Sequence, residues 1–300
     1  MHLSSLHHPA QHGSLKLKNR AMKTKIKYFS DRWQLTNLQI LNISDYTGNY
    51  VAKAFSTMYD RNVVLKISRS SKALAEEQKA LTYFDGNGCV RLLDYDLKQA
   101  ALLLEWIEPG TQLKSLFFDN QEQAVTIAAS VIKQLHQQPL SEKTHSFKTI
   151  GDWLKLLENF KSISIPQHLL IQAHELAQKL LKTQSQVYVL HGDLHYENIL
   201  QNNGSWIAID PQGIVGELAC EFSTLVRNPI PELVLQKNPL TIMTHTINML
   251  SSIFQIDQHR IFEWSFVKTV LSACWAEQDN YQTHKEMYIQ IAQLLDNVLE

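Results

Sequence analysis

The chain is short of cysteine, of net charge and of long apolar runs, and each shortage excludes something. Its 300 residues hold three cysteines, Cys89, Cys220 and Cys274, far apart and with no Cys-x-x-Cys pair. That argues against a disulfide framework and fits a reducing compartment, with three small buried hydrophobes as the expectation. Lys and Arg number 28 against 29 Asp and Glu, a formal net charge of −1. Such a balance lacks the basic footprint of a nucleic-acid binder, so no nucleic-acid partner is expected. The charge-free stretch over residues 238–256 carries Thr, Asn, Ser and His245. Its Met243, Ile247, Leu250 and Phe254 are spaced 4, 3 and 4 apart, which is one face of a helix in water rather than a membrane rod. The N-terminus has no apolar core of a secretory signal. A cytoplasmic protein without a membrane anchor is therefore expected.

What is present suits folded domains. Hydrophobic residues make up 44% and charged residues 19%, too apolar and too weakly charged for disorder throughout. Three hundred residues is about two domains at roughly 150 each. Residues 1–21, rich in His, Ser, Gln and Lys, read as a disordered tail, with Met22 as a possible true start. From there to residue 107 the pattern mixes strands with one helix. Residues 63–67 are a β-rich run. Residues 72–84 read as a helix with Ser71 as N-cap, stopped by Gly86-Asn87-Gly88. Residues 89–95 and 100–106 are two more strand-length runs. Beyond Pro109-Gly110 the chain is mostly helical, with helices expected over 122–137, 152–160, 167–182, 240–256, 261–278 and 285–299. A β island interrupts at about 187–210.

That island carries the chemistry. It reads His191-Gly192-Asp193-Leu194-His195-Tyr196-Glu197-Asn198, then Trp206-Ile207-Ala208-Ile209-Asp210-Pro211-Gln212-Gly213. Asn202-Asn203-Gly204-Ser205 is a strong turn signal between two apolar strands. A hairpin turning at 203–204 sets Asn198 across from about 209–210, beside Asp210. A neutral carbonyl oxygen next to a carboxylate suits Mg²⁺. Asp193, just before the hairpin, is placed to act as base or orienter for a hydroxyl nucleophile.

Phosphoryl transfer also needs a cation on the donor phosphates. Lys66, near the end of the 63–67 run, is the candidate. Leu74, Glu77, Leu81 and Phe84 fall on one helical stripe, so Glu77 points inward with apolar residues. An unpaired carboxylate there is costly, and a Lys66–Glu77 ion pair answers the cost. Glu76 is the alternative partner.

The Asp193, Asn198 and Asp210 set resembles the catalytic loop and metal motif of the protein-kinase-like fold. Gly192, where protein kinases usually carry Arg, resembles the small-molecule branch, the aminoglycoside phosphotransferases. Residues 100–110, reading AALLLEWIEPG, resemble that family's hinge. Residues 206–216 with 227–229, reading WIAIDPQGIVG…RNP, resemble the streptomycin 6-kinase and hydroxyurea kinase subgroup. The similarity runs over about residues 30–300.

The resemblance implies an α+β, two-lobed fold: a small β-rich N-lobe over 22–107 and a larger, mostly helical C-lobe over 108–300. ATP would bind between them. Asp193 would be the base or orienter, Asn198 and Asp210 would hold Mg²⁺, and Lys66 with Glu77 would bind the ATP phosphates. Backbone groups at Glu105 and Ile107 would bond adenine, with Leu104 at the back of the pocket. Gly48 would serve the phosphate-covering turn. The expected reaction is transfer of the ATP γ-phosphoryl group to a hydroxyl of a small molecule, foremost streptomycin or a related aminoglycoside. Hydroxyurea, a sugar or an amino alcohol is the alternative acceptor, and a nucleotide-binding pseudokinase the alternative class. Glu217, Glu221, Glu277 and Asp279 are expected to greet a cationic substrate, and Glu221 alternatively to brace the catalytic loop. His195 is expected to see phosphate or substrate, whereas His136 and His191 read as structural. Gln212 departs from the Lys expected in streptomycin kinases. No Ala-Pro-Glu follows Asp210, which argues against a protein kinase.

Overall fold

The computed structural model describes residues 22–43, 49–137 and 147–299. The tail expected over 1–21, and Gly48, lie outside the described residues. The chain divides into two compact units.

The first unit is Met1–Ala75 with Leu92–Trp106. Its described part opens with α1 (residues 22–32). Then come β1 (Leu35–Ile43), β2 (Tyr50–Ser56), β3 (Arg61–Ile67) and the first turn of α2 (Ser71–Phe84), followed by β4 (Leu92–Asp96) and β5 (Ala101–Glu105). The strands form one antiparallel sheet in the order β1-β2-β3-β5-β4. β2 shows why: Tyr50, Ala52, Ala54 and Ser56 alternate onto a buried face, the period of a half-covered strand. Phe29 and Trp33 of the N-terminal helical segment complete that core, their rings stacked at 4.7 Å. The Trp33 indole N–H donates to Asp94 Oδ2 at 2.7 Å, so a buried donor is not left unpaired. Lys66 sits on β3 opposite Val51 and Leu102.

Two local readings shift. The cap of α2 is Ser70, whose hydroxyl accepts from the Ala73 amide at 3.1 Å, and Ser71 is already helical. The apolar run over 89–95 divides: Leu92 onward joins this sheet, while Cys89 bridges to Ala208 in the other unit.

The second unit is Glu76–Arg91 with Ile107–Glu300. After the rest of α2 it holds β6 (Pro109–Gln112), α3 (Lys114–Phe117), α4 (Gln121–Leu135), β7 (Lys148–Thr149) and α5 (Ile150–Leu154). It continues with α6 (Gln167–Lys182), β8 (Tyr188–Leu190), β9 (Ile199–Asn202), β10 (Ser205–Ala208) and β11 (Ile214–Gly216). It ends with α7 (Leu218–Val226), α8 (Pro239–Phe254), α9 (Gln258–Gln278) and α10 (Gln282–Leu299). The helix expected over 152–160 is shorter, because the chain tightens into a 3₁₀ turn over Lys155–Glu158. Two small sheets run β10-β9-β6 and β7-β11-β8.

The core of this unit is α9, buried on every face, with α6, α7 and α10 packed around it. A helix buried on all sides belongs inside a domain. Its hydroxyls close onto their own helix: Ser265, Thr269 and Ser272 donate to carbonyls four residues back. All three cysteines are buried and unbridged. Among the described residues, no helix is long and apolar enough to cross a membrane.

Candidate functional site

The hairpin β9–β10 turns at Asn203-Gly204, both with positive φ (45° and 86°). That is the geometry of a two-residue type I′ turn, which favours Asn-Gly. The register pairs Ile199 with Ala208 and brings the Ile209 amide to the Asn198 carbonyl at 2.9 Å. Asn198 thus lies across from Ile209, next to Asp210, as the turn signal predicted. Asp210 is exposed and carries φ 62°, a left-handed conformation that Asp tolerates better than most residues.

The loop from β8 into the hairpin is clamped at several points. Leu194 and Tyr196 are fully buried and anchor it. His191 is fully buried, and its Nε2 donates to the Ile209 carbonyl at 2.9 Å while Nδ1 accepts from the Asp193 amide at 3.3 Å. Burial lowers its pKa to about 4, so the ring is a neutral tie between the two arms of the site. His136 is likewise neutral, pushed down to about 3 by burial, and packs between Phe84 and Tyr188.

Asn198 Nδ2 donates to the Asp193 carbonyl at 3.0 Å. That bond fixes which end of the amide is oxygen, and Oδ1 accepts no hydrogen bond among the described residues. Asp193 is partly exposed, with His195 Nε2 3.9 Å from its Oδ2. On its other side His195 Nδ1 is 3.7 Å from Glu197, which also takes the Lys114 ammonium at 2.5 Å. The hairpin and the loop before it therefore carry the Asn198 amide oxygen and the carboxylates of Asp193, partly exposed, and Asp210, exposed. Hard oxygens of this kind suit Mg²⁺.

Behind the loop stands Gly192, with φ 87°. A Cβ there would lie 3.1 Å from Trp153 and 3.2 Å from Ile214, so both conformation and space call for glycine. Its amide faces both oxygens of Glu221 at 3.3 Å, and its carbonyl lies 3.5 Å from the Lys268 ammonium. Glu221 and Lys268 are each 2% exposed. Burial raises the Glu221 pKa to about 7, and burial lowers that of Lys268. Lys268 also rests over the Trp153 ring at 4.4 Å. Sequence reasoning missed Lys268 and Trp153. The signal was a lone cation in the apolar Phe266-Val267-Lys268-Thr269-Val270 stretch.

The other acidic candidates are spread out and mostly engaged. Glu217, at the N-cap of α7, is 7% exposed. Both its oxygens accept from Arg260 Nε at 2.9 Å, and it also takes the Trp264 indole N–H. Glu277 accepts from Ser162 at 2.8 Å and Ser164 at 2.5 Å, with Lys285 3.5 Å away. Asp279 is the exposed C-cap of α9.

The residues expected at the nucleotide divide between the units. In the first, Lys66 is 7% exposed and Glu105 ends β5, opposite Val63. In the second, Glu77 is 7% exposed on α2, in line with the buried Leu81 and Phe84, and Ile107 is buried. Glu76, the alternative partner for Lys66, faces Lys79 at 3.8 Å and Lys148 at 3.7 Å.

Comparison with known proteins bears on this geometry. Residues 46–280 match the family described as aminoglycoside/hydroxyurea antibiotic resistance kinase. The streptomycin 3''-kinase of Klebsiella pneumoniae is 28% identical over 225 residues, covering 72% of this chain and 80% of that protein. The streptomycin 6-kinase of Streptomyces glaucescens is 22% identical over 298 residues, covering 92% and 89%. Among solved structures, choline kinase LicA of Streptococcus pneumoniae superposes with a TM-score of 0.68 at 16% identity, covering 93% of this chain and 99% of that one. A thermostable aminoglycoside phosphotransferase in complex with ADP and hygromycin B gives 0.64 at 10% identity, covering 91% and 97%. These likenesses establish the protein-kinase-like fold, a β-sheet N-terminal region followed by a helical C-terminal one.

Proposed function

Because the chain belongs to the aminoglycoside/hydroxyurea antibiotic resistance kinase family, we propose that it moves the γ-phosphoryl group of ATP to a hydroxyl of a small molecule. The observation that carries this reading is the hairpin, which ties the Asn198 amide nitrogen to the Asp193 backbone and leaves the amide oxygen without a hydrogen bond among the described residues. Asp193 takes the proton of the acceptor hydroxyl as its oxygen bonds the γ-phosphorus, and ADP departs. Asn198 and Asp210 would hold Mg²⁺, which when bound offsets the charge on the phosphates. By the family resemblance, Lys66 and Glu77 would serve the donor phosphates, and the backbone at Glu105 and Ile107 the adenine. Gly192, gripped by Glu221 and Lys268, keeps the loop fixed, so that Asp193 meets the acceptor without reorganising. The reading places the enzyme in the cytoplasm, where ATP is at hand.

Streptomycin or a related aminoglycoside is the first acceptor to test. The signature over 206–216 and 227–229 and the two curated relatives support it. Phosphate would add negative charge and bulk to a cationic drug and so inactivate it. A second reading, an acceptor of other charge such as hydroxyurea or a sugar, is favoured by one observation: Glu217, Glu221 and Glu277 already have partners within the protein.

The test is ATP consumption by purified protein with streptomycin, hydroxyurea, sugars and amino alcohols, beside Asp193→Ala. Turnover that requires both an acceptor and Asp193 is expected. Tight Mg·ATP binding with no turnover on any acceptor would replace the enzyme with a nucleotide-binding pseudokinase.

A further inference from the structure

His195 stands between two carboxylates that differ in what else they hold. Its Nε2 lies 3.9 Å from Asp193 Oδ2, and its Nδ1 lies 3.7 Å from Glu197 Oε2. Nδ1 is buried and has no hydrogen-bond partner among the described residues. Glu197 is already answered by a cation. Its Oε1 takes the Lys114 ammonium at 2.5 Å, and the same ammonium reaches Glu232 at 2.9 Å. Backbone contacts hold this pair in place: the Lys114 amide donates to the Tyr196 carbonyl at 3.0 Å, and Gln112 Nε2 donates to the Glu197 carbonyl at 3.2 Å. For Asp193, the ion-pair contact among the described residues is the His195 ring.

That asymmetry decides where a ring N–H stabilises most. An N–H aimed at Glu197 meets a carboxylate whose charge Lys114 already offsets. An N–H at Nε2 meets a carboxylate with no lysine or arginine at ion-pair distance among the described residues, and a hydrogen bond to such a group is a strong one. The backbone of Asp193 is pinned, because its carbonyl accepts from the His195 amide at 3.1 Å and from Asn198 Nδ2 at 3.0 Å. Neither bond touches the carboxylate. A carboxylate left to rotate must be aligned afresh for each acceptor, and that alignment costs entropy.

We infer that His195 is a positioning residue: its Nε2–H holds Asp193 Oδ2 and leaves Oδ1 to take the proton of the acceptor hydroxyl. Lys114, by offsetting Glu197, keeps that carboxylate from drawing the ring away. The 3.9 Å contact is long for a hydrogen bond, and contacts of this kind tighten once substrate is in place. The inference rests on the phosphotransferase reading. It assigns His195 to Asp193, in place of the phosphate or substrate contact expected from the sequence.

The experiment measures kcat, acceptor KM and Mg·ATP affinity for the wild type, His195→Ala, His195→Gln and His195→Asn, on an acceptor that the wild type turns over. The side-chain nitrogen of Gln is as many bonds from the backbone as Nε2, and that of Asn matches Nδ1. His195→Ala is expected to lower kcat about ten- to a hundredfold, with KM and Mg·ATP affinity within about twofold. His195→Gln is expected to recover most of that loss and His195→Asn little of it. Lys114→Met is expected to lower kcat several-fold in the wild type and no further in His195→Ala, as for two residues that act through one contact. If His195→Ala does not fold, the Gln and Asn variants carry the test. A raised acceptor KM or weakened Mg·ATP binding at unchanged kcat would make His195 a ligand and overturn the inference. Equal kcat in the Gln and Asn variants would overturn it too. No turnover by the wild type on any acceptor sinks the phosphotransferase reading first, and the inference falls with it.

Discussion

Two sets of carboxylates in the second unit differ in what they have left to bond. On the hairpin, Asp210 is exposed and Asp193 partly so, and the ion-pair contact of Asp193 among the described residues is His195 at 3.9 Å. In and beside the helices that follow, Glu217, Glu221 and Glu263 are 7%, 2% and 3% exposed, and each is bonded within the protein. A carboxylate at the surface keeps much of its water. One inside the fold must satisfy its oxygens locally or be costly. Hairpin residues should therefore cost activity when changed, and helix residues should cost stability.

The largest expected break of that contrast is at Asp193. Asp193→Ala should lower kcat/KM about a thousandfold, within the range for a general base. Its thermal midpoint should stay within a degree or two, because this carboxylate is partly exposed and its ion-pair contact among the described residues is a long one, to His195 at 3.9 Å. A matching fall in thermal midpoint would put Asp193 among the structural acids.

Glu217 lies on the other side. Glu217→Ala takes the carboxylate from Arg260, which keeps only Thr183 and the Leu180 carbonyl among the described residues, and leaves the Trp264 indole without its acceptor. Breaking a buried pair costs about 3–5 kcal/mol, and since Arg260 is partly exposed the lower end, about 3 kcal/mol, is expected. Chemical denaturation measures it. A raised KM for a cationic acceptor with unchanged stability would instead make Glu217 a substrate ligand.

Glu221 gives a pH signature. Its folded pKa, raised by burial to about 7, exceeds the ordinary carboxyl value near 4.5. A raised acid binds its proton more tightly when folded, so its contribution is full below about pH 4.5 and is lost as pH rises through 7. Glu221→Gln should remove that slope, a difference on the order of 2–3 kcal/mol between pH 4.5 and 7.5. His191, pushed down to about 4, works in the opposite sense. It is present in both proteins and cancels from the difference. Identical pH–stability profiles for the two proteins would place the Glu221 carboxyl in a wetter setting than its burial implies.

The same contrast explains what was legible in the sequence. The hairpin chemistry was readable because a two-residue Asn-Gly turn dictates register, and register alone places Asn198 opposite Ile209. The fold class followed from spacing and from family resemblance over most of the chain. The engagement of Glu217 and Glu277 was not readable, since their partners lie far off in sequence: Arg260 is 43 residues from Glu217, and Ser162 is 115 from Glu277. Nor was Ser70 chosen over Ser71 as the cap, because either hydroxyl satisfies the local pattern and packing of α2 decides. Lys268 escaped notice because an ammonium inside an apolar helix reads as an outward residue until the helix proves buried on every face.

Glu277 marks where the contrast weakens. It lies at the end of α9 among Ser162, Ser164 and Lys285, and its side chain keeps 25% exposure. Burial works to raise its pKa, but the hydroxyls of Ser164 and Ser162 and the Lys285 charge outweigh it and hold the carboxyl below its usual range. Its contribution is thus present above about pH 4.5 and fades in acid. Glu277→Gln keeps one acceptor oxygen for the serines and loses only a screened ion pair, so it should cost under about 1 kcal/mol. The informative reading is KM. A carboxylate facing an amine or guanidinium of the acceptor would raise KM for streptomycin several-fold when neutralised. A carboxylate committed to two serines and a lysine leaves KM unchanged, and that is the outcome expected from the bonds it already makes.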